Sequence, residues 1–430
     1  MVSQLRGKSK ARRLRIGFAK REITPPLPFP LAGMGDRHER LASQIRDPLY
    51  SRALAVSDGR NAALVISTDL LLITDQLRLA VEQRLQQSGK SYIGLMLSAT
   101  HTHSACGGYW SAPSAKLFMG TYRQAIFDLL VERIAESAAA ALDDLKPAQL
   151  SLGQVQTEGL SYNRRHADGP IDRTLGVLTA RRARGRDVRL VCFGAHPVAV
   201  GFRSYNTASA DYPGALIELI ERQGFDAMFI VGPVGGVNAL FPEGPMEMDV
   251  HLRMLSSLLH EQVETAAADE RPIKGNDVAF AAGEAKIVLH TPRLFPDDRR
   301  WAERLALPLR LYLRRFGHGG MGNVHATRVP VLRAGELVFT GFPADLGHTV
   351  GIAARQMIEQ AGLQTIGVAS QTDDYVGYVH LDEQYDQFES KDRSALWMTI
   401  YENGLGFGGR SVGPDLLEAF RGALFSVLPS

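Results

Sequence analysis

The segment Ser98-Ala99-Thr100-His101-Thr102-His103-Ser104 follows the apolar residues 92–97 and precedes the glycine pair Gly107-Gly108. The apolar run has the length of a buried strand, and the glycines favour a turn. Because side chains alternate along a strand, His101 and His103 are predicted to point the same way from its end. The pair indicates either a metal ligand beside a proton-carrying group, or two strand-end histidines without chemistry. Two donors cannot complete a tetrahedral metal site, so other segments would have to supply the rest.

The composition is that of an ordinary globular protein. The chain has 430 residues, of which 45% are hydrophobic and 22% charged, and its formal net charge is +2. So small a net charge predicts no nucleic-acid partner, and we interpret the basic residues 6–15 as a solvated terminus. No apolar run is long enough for a secretion signal or a bilayer span, which predicts a soluble, cytoplasmic protein. Two cysteines, Cys106 and Cys192, do not indicate a disulfide framework.

Strand and helix signals alternate along the chain. Residues 49–56 and 62–67 flank a turn and predict a hairpin, and Thr74 is typical of a helix N-cap. The same criteria predict a helix over 122–145, strands at 150–157, 175–180, 188–195, 227–231, 278–289 and 363–369, and a second hairpin at 329–332 and 337–340. We therefore predict one large α/β domain over residues 16–430, with a mixed β-sheet core and flanking helices, after a flexible basic tail at 1–15.

Further candidate site residues lie at predicted element ends. His196 sits between a strand end and Pro197, which gives it a rigid frame. The glycine-rich loop at 232–239 either presents N–H groups to an oxyanion or is only a tight turn. Asp345 is predicted to open a helix that carries His348 one turn later. Residues 305–313 carry a leucine at every second position, and Arg310, Arg314 and Arg315 make this segment basic. An amphipathic segment that contacts a membrane and an ordinary half-buried element are both open.

These motifs carry a family resemblance. Ala99-Thr100-His101-Thr102-His103-Ser104, followed by Gly107-Gly108-Tyr109, resembles the ATHTHS…GGY signature of the neutral/alkaline (non-lysosomal) ceramidases. Supporting matches follow in the family's order: Ile23-Thr24-Pro25-Pro26, Asp47-Pro48-Leu49-Tyr50, Asn163-Arg164, His196-Pro197, Ala210-Asp211-Tyr212-Pro213-Gly214 and Tyr375-Val376-Gly377-Tyr378. The resemblance implies a zinc hydrolase that cleaves the amide of N-acylsphingosine.

The resemblance also implies a ligand set. Zinc would be held by His101, His196 and Tyr378, and by Asp345 in place of the glutamate of the family's Pro-Gly-Glu turn. Such a set, with a position left for water, suits a catalytic zinc, although histidine and carboxylate ligands also suit manganese or iron. His103 and Arg165, or its neighbour Arg164, would lie behind the ligands or on the substrate.

Two departures from the family's pattern affect the expected chemistry. Asn238 occupies the position of the family's nucleophilic serine, and an amide cannot be the nucleophile. Either metal-activated water attacks the substrate, or the chemistry is lost. Phe388, before Glu389, replaces the tyrosine of the family's Tyr-Glu-Gly segment. The secretion signal and the C-terminal immunoglobulin-like domain of longer members are not seen.

The leading hypothesis is a zinc-dependent amidohydrolase acting on a ceramide-like or other acylated small molecule through metal-activated water. His103 would move a proton, Asn238 would donate to the tetrahedral intermediate, and Arg165 and Tyr378 would complete the catalytic set. The alternative is a non-catalytic binding protein for an acylated ligand on the same scaffold. The partner is a small-molecule or lipid-like amide, peripheral membrane contact is left open, and the sequence does not indicate an oligomeric state.

Overall fold

The computed structural model describes residues 13–34, 39–112, 115–166, 169–240, 247–288, 324–385 and 393–429. Most of the predicted tail, the segment 305–315 and Phe388-Glu389 lie outside these ranges. β1 begins at Arg15, and Leu14 is already buried. Among the described residues, no helix combines the length and apolar character needed to cross a bilayer. Cys106 and Cys192 are both buried and free.

The strands are β1 (Arg15–Glu22), β2 (Phe29–Pro30), β3 (Leu41–Ala42), β4 (Gln44–Ile45), β5 (Tyr50–Ser57), β6 (Ala62–Thr68), β7 (Gly94–Ala99), β8 (Lys146–Gln156), β9 (Ser161–Asn163), β10 (Thr174–Arg182), β11 (Val188–Phe193), β12 (Thr207–Ala208), β13 (Asp226–Val231), β14 (Val237–Ala239), β15 (Arg271–Pro272), β16 (Val278–Val288), β17 (Val324–Ala334), β18 (Leu337–Gly341), β19 (Asp345–Leu346), β20 (Gln364–Ala369) and β21 (Tyr378–Val379). The helices are α1 (Asp75–Gln87), α2 (Lys116–Met119), α3 (Gln124–Asp143), α4 (Asp211–Arg222), α5 (Met248–Ala268), α6 (His348–Gln360), α7 (Asp382–Tyr385), α8 (Arg393–Gly404) and α9 (Val412–Val427).

Local signals in the sequence account for the first half of the nine-stranded sheet. β5 and β6 form the predicted hairpin, and the carboxylate of Asp58 closes its turn by accepting from the backbone N–H groups of Arg60 and Asn61. Thr74 caps α1, since its hydroxyl accepts from the N–H of Leu77 at 3.1 Å. Capping satisfies a backbone donor that the first helical turn leaves free. The hairpin and the cap are both confirmed.

Two sheets form the core. The larger is nine-stranded, in the order β13-β11-β10-β8-β1-β5-β6-β7 with β15 beside β8, and the smaller runs β16-β17-β18-β20. Within these sheets the pairs β6–β7, β11–β13 and β18–β20 are parallel, and the remaining neighbours are antiparallel. The mixed sheet predicted from the sequence is therefore confirmed.

Both faces of the larger sheet are covered. Along β5, Leu54 and Val56 pack in the cluster between the two sheets, whereas Ala53 and Ala55 pack in a cluster with α1 and α3. α4 and α5 cover the other half of this outer face, and α6 and α9 pack on the smaller sheet. The protein therefore has four layers, in the order helices, larger sheet, smaller sheet, helices. Burial on both faces explains why β5 and β6 are almost continuously apolar.

Two local predictions near the candidate site are wrong. β7 ends at Ala99, and His101 has a left-handed backbone with φ of 65°, so strand alternation does not set the direction of the two histidines. Asp345 does not open a helix. It pairs with Tyr378 in the short parallel ladder β19–β21, and α6 begins only at His348, after Gly347. Backbone pairing with a distant segment outweighs the local helix signal there.

Close contact between the smaller sheet and α9 depends on a glycine, which has no side chain. A Cβ at Gly283 in β16 would overlap the carbonyl oxygen of Ala419 in α9. Overpacking of this kind separates elements and usually costs a few kcal/mol. Position 283 therefore fixes how closely α9 lies on the smaller sheet.

Gly283→Ala is expected to lower the free energy of unfolding by about 1–3 kcal/mol, because the added methyl group displaces α9. Urea denaturation measures this change. The matched control is Gly422→Ala in the same helix, where a Cβ meets no atom within 4 Å. That variant should be neutral or stabilising by about 0.5–1 kcal/mol through helix propensity. Equal denaturation midpoints for the two variants would contradict the close contact.

Candidate functional site

The predicted site residues follow strands that are paired in parallel. β7 leads to His101 and His103, and β11 leads to His196. β18 is followed by Asp345, and its parallel neighbour β20 is followed by Tyr378. In sheets with parallel strands, ligands commonly bind beyond the carboxyl ends. The fold thus brings together residues that are far apart in the sequence.

Three imidazoles are oriented by backbone carbonyls. Nδ1 of His101 lies 2.7 Å from the backbone oxygen of Leu71. Nδ1 of His196 lies 2.8 Å from that of Val237, and Nδ1 of His103 lies 2.8 Å from that of Gly33. A carbonyl oxygen can only accept, so each Nδ1 carries the proton and each Nε2 presents a lone pair. The same backbone-fixed tautomer is typical of histidines that ligate metals.

The ligand atoms converge at distances that suit zinc. Nε2 of His101 is 3.0 Å from Oδ1 of Asp345, and Nε2 of His196 is 3.9 Å from the same oxygen and 3.3 Å from the Tyr378 hydroxyl. Ligands about 2.0–2.1 Å from a tetrahedral zinc ion are about 3.3 Å apart. His103 is also close, with its Nε2 3.3 Å from that of His101. The three imidazoles alone form a group that could hold a metal ion. The residues present therefore fit a divalent ion.

Burial determines the protonation of these groups. It lowers the pKa of His103 and of His196 well below the usual value, and the nearby Arg164 adds to the effect. Burial and then Asp345 raise the pKa of Tyr378, while Arg164 works in the opposite direction. Both imidazoles are consequently neutral at neutral pH, which is the form that binds metals.

Arg164, rather than Arg165, reaches the predicted ligands. Its guanidinium donates to the Tyr378 hydroxyl at 2.9 Å and to Oδ1 of Asn238 at 3.1 Å. Arg165 instead donates to the backbone oxygen of Gln384 at 2.7 Å. The sequence could not distinguish Arg164 from Arg165, because it does not show which of two neighbouring side chains faces the site. We therefore replace Arg165 by Arg164 in the predicted set.

Glu402 and Tyr401 were missed by the sequence reasoning. Glu402 is fully buried and accepts from Nε of Arg164 at 2.8 Å. Burial alone would raise the pKa of Glu402, but Arg164, His380 and Arg165 together hold it at about 2. The Tyr401 ring lies 6.0 Å from that of Tyr378. The sequence Tyr401-Glu402-Asn403-Gly404 contains the Tyr-Glu pair of the family's Tyr-Glu-Gly segment, which we had assigned to Phe388-Glu389. This pair was the signal that could have identified Tyr401 and Glu402.

Asn238 lies at the edge of the site. Its backbone bridges to that of His196 and pairs with Tyr162 in the β14–β9 ladder. Arginine can only donate, so the oxygen of the Asn238 amide faces Arg164, and its nitrogen donates to the Tyr162 hydroxyl at 3.3 Å. One N–H of the amide accounts for that bond. The second N–H has no hydrogen-bond partner among the residues that the structure describes.

A small apolar cavity adjoins the ligand atoms. Its volume is about 50 Å³, room for a few water-sized groups. His101, His103, Asp345 and Tyr378 border it on one side. The other described lining residues are Gly33, Leu71, Leu72, Trp110, Ala115, Phe118, Met119, Tyr375, Tyr401, Leu405 and Phe407. Apolar walls with a few polar groups on one side are typical of a small-molecule site.

Two neutral ceramidases are similar in sequence. The protein from Mycobacterium tuberculosis is 33% identical over 141 residues, which are 31% of this chain and 22% of that protein. The protein from Pseudomonas aeruginosa is 26% identical over 156 residues, 35% of this chain and 23% of that protein. The matched segments thus span less than a quarter of either relative.

Solved structures share the fold over nearly the whole chain. "Ceramidase complexed with C2" superimposes with a TM-score of 0.78 and 19% identity, and the match covers 97% of this chain and 76% of that one. Neutral ceramidase from Pseudomonas aeruginosa gives a TM-score of 0.73 and 19% identity, with 94% and 75% covered. At 19% identity, this structural similarity shows only that the fold is shared.

The sequence match to a family model is more specific than the likeness in fold. Residues 14–168 match the N-terminal model of the neutral/alkaline non-lysosomal ceramidases. This range includes the histidine motif at 101–103 and the Asn163-Arg164 pair that reaches the site. Together with the similar sequences, the match shows that this N-terminal part of the chain is similar to the neutral/alkaline non-lysosomal ceramidases.

Proposed function

We propose that this chain is a zinc-dependent hydrolase of N-acyl amides. The observation that carries the proposal is the convergence of His101, His196, Asp345 and Tyr378, at spacings that suit zinc, beside an apolar cavity. The match to the family model supports amide hydrolysis, and the names of the relatives suggest a ceramide-like substrate. Three imidazoles whose ligand atoms lie within 4.8 Å of one another are hard to explain as packing alone.

The four residues would hold the ion, and each has a support of its own. Backbone carbonyls fix both imidazoles, and the β19–β21 pairing fixes the spacing between Asp345 and Tyr378. When bound, zinc acts as a Lewis acid that activates water and polarises a carbonyl group. Arg164 places a positive charge against the Tyr378 hydroxyl and thereby favours loss of its proton.

The remaining polar groups would act on the substrate. His103, neutral and with Nε2 directed at the site, can accept a proton from the attacking water and return it to the leaving amine. The second N–H of the Asn238 amide, which does not bond Tyr162, can donate to the oxyanion of the tetrahedral intermediate. Neither role needs a nucleophilic side chain, so the asparagine at the family's serine position is compatible with hydrolysis.

The cavity would receive the acyl group. Trp110, Phe118, Met119, Leu405 and Phe407 give it an apolar wall, which suits a hydrocarbon chain better than a charged head group. With a volume of about 50 Å³, it accommodates a short acyl group without movement of the wall. A long chain requires these side chains to shift.

Elemental analysis combined with a screen of N-acyl amides tests the proposal. We expect close to one zinc ion per chain and release of free amine, fastest with short acyl groups. The screen varies head group and chain length independently. Binding of acylated compounds without any hydrolysis, by protein that contains no zinc, would instead support the binding-protein alternative, which the match to the family model does not favour.

Removing an imidazole should abolish zinc uptake. His101→Ala and His196→Ala each delete one of the donors, so we expect zinc content after dialysis to fall at least tenfold relative to the unaltered protein. His260→Ala is the matched control, because His260 lies on α5 next to Glu264. Full zinc content in either site variant would remove that histidine from the ligand set.

Substitution of Asn238 should affect turnover without affecting metal binding. Asn238→Ala should lower kcat about 100-fold or more, the usual effect of losing one oxyanion donor, and leave zinc content unchanged. Asn238→Ser restores the residue type expected in the family and tests whether ceramide cleavage depends on this position. Unchanged kcat in Asn238→Ala would show that the amide does not contact the transition state.

A further inference from the structure

A short buried segment, residues 370–374, connects three of the strands that lead to the site. The N–H of Ser370 donates to the Val231 oxygen at the end of β13, and the N–H of Asp373 donates to the Leu97 oxygen in β7. Thr372 donates to the oxygen of Phe342, just after β18. The segment therefore controls how the two sheets meet beneath the ligand atoms.

Gln371 has the most direct connection to the candidate ligands. Its N–H donates to the Ala344 oxygen, next to Asp345, and its carbonyl oxygen accepts from the N–H of Ala99, two residues before His101. One residue thus ties the segment carrying Asp345 to the segment carrying His101 through main-chain bonds of 3.0 and 3.1 Å.

The side chain of Gln371 also contacts Asp345. Its Nε2 donates to Oδ1 of Asp345 at 2.8 Å, and the hydroxyl of Tyr375 donates to Oδ2 at 2.8 Å. Oδ1 is the oxygen that lies 3.0 Å from Nε2 of His101. Because both oxygens are held, the carboxylate cannot rotate, and the second lone pair of Oδ1 faces the imidazoles.

Gln371 has two unfavourable features. Its φ is 52°, in the left-handed region that non-glycine residues seldom adopt. Its side chain is fully buried, yet Oε1 has no hydrogen-bond partner among the described residues. A buried carbonyl oxygen without a partner is costly. The favourable polar contact of this side chain is the bond from Nε2 to Asp345, and strained residues of this kind cluster at functional sites.

We propose that Gln371 is a positioning residue, which orients the Asp345 carboxylate and so sets the affinity of the site for a divalent ion. The inference depends on the proposed zinc site and adds a residue that does not itself touch the ion. Loss of a group that orients a metal ligand typically weakens metal binding by 10–100-fold.

The test is the zinc dissociation constant of metal-free protein, measured by competition with a chelator of known affinity. Gln371→Met keeps the length of the side chain and removes the donor. Gln371→Asn keeps an amide and tolerates the left-handed backbone, but is one methylene too short to reach Oδ1. We expect both variants to bind zinc 10–100-fold more weakly, with a smaller change in Tm for Gln371→Asn.

A double-mutant cycle distinguishes positioning from a general structural role. In an Asp345→Ala background, Gln371→Met should weaken zinc binding by less than threefold, because the group it orients is gone. The control is Asp373→Asn. Asp373 lies in the same segment, also has a left-handed backbone with φ of 64°, and bonds Arg328 rather than Asp345. This variant should lower Tm but not zinc affinity.

Two results would overturn the inference and are distinct from failure of the proposed function. One is zinc affinity in both Gln371 variants within threefold of the unaltered protein. The other is loss of affinity that follows Tm across all variants, including Asp373→Asn. Unaltered protein that takes up no zinc would instead overturn the proposed zinc site and this inference together.

Discussion

The site depends on three parallel strand pairs whose carboxyl ends meet. β6–β7, β11–β13 and β18–β20 belong to two different sheets, and each ends beside the ligand cluster. Residues beyond such ends are free of the ladder and can turn towards a common point. The packing between the sheets therefore does more than bury apolar surface, because it sets the distance between His101 on one sheet and Asp345 on the other.

Hydrogen bonds donated by the imidazoles to main-chain carbonyls then set the tautomer of each histidine in the cluster. Leu71, Val237 and Gly33 each accept from one imidazole Nδ1, so the three Nε2 atoms direct their lone pairs into one small volume. Lone pairs that face each other are unfavourable unless a cation lies between them. The positive charge of Arg164 is balanced by Glu402, whose Oε1 lies 2.8 Å from Nε of Arg164. The arrangement favours a bound cation at the centre.

The sequence predicted the framework better than the site. The β5–β6 hairpin and the Thr74 cap follow from turn and capping residues, whose effect is local. The imidazole pair was found, but for the wrong reason, since the left-handed backbone of His101 is fixed by tertiary contacts. Asp345 was assigned to a helix because its pairing with Tyr378 leaves no local signal. The choice between neighbouring arginines, and the parts played by Glu402 and Gln371, likewise depend on distant contacts.

The long chain separations within the cluster have a consequence for biosynthesis. His196 and Tyr378, whose side chains touch, are 182 residues apart. At about 5–20 residues per second, a ribosome needs roughly 10–40 seconds to proceed from one to the other. For most of that interval the histidines of the nascent chain have neither the carboxylate of Asp345 nor the phenol of Tyr378 beside them. The proposed coordination set is therefore complete only in the finished fold.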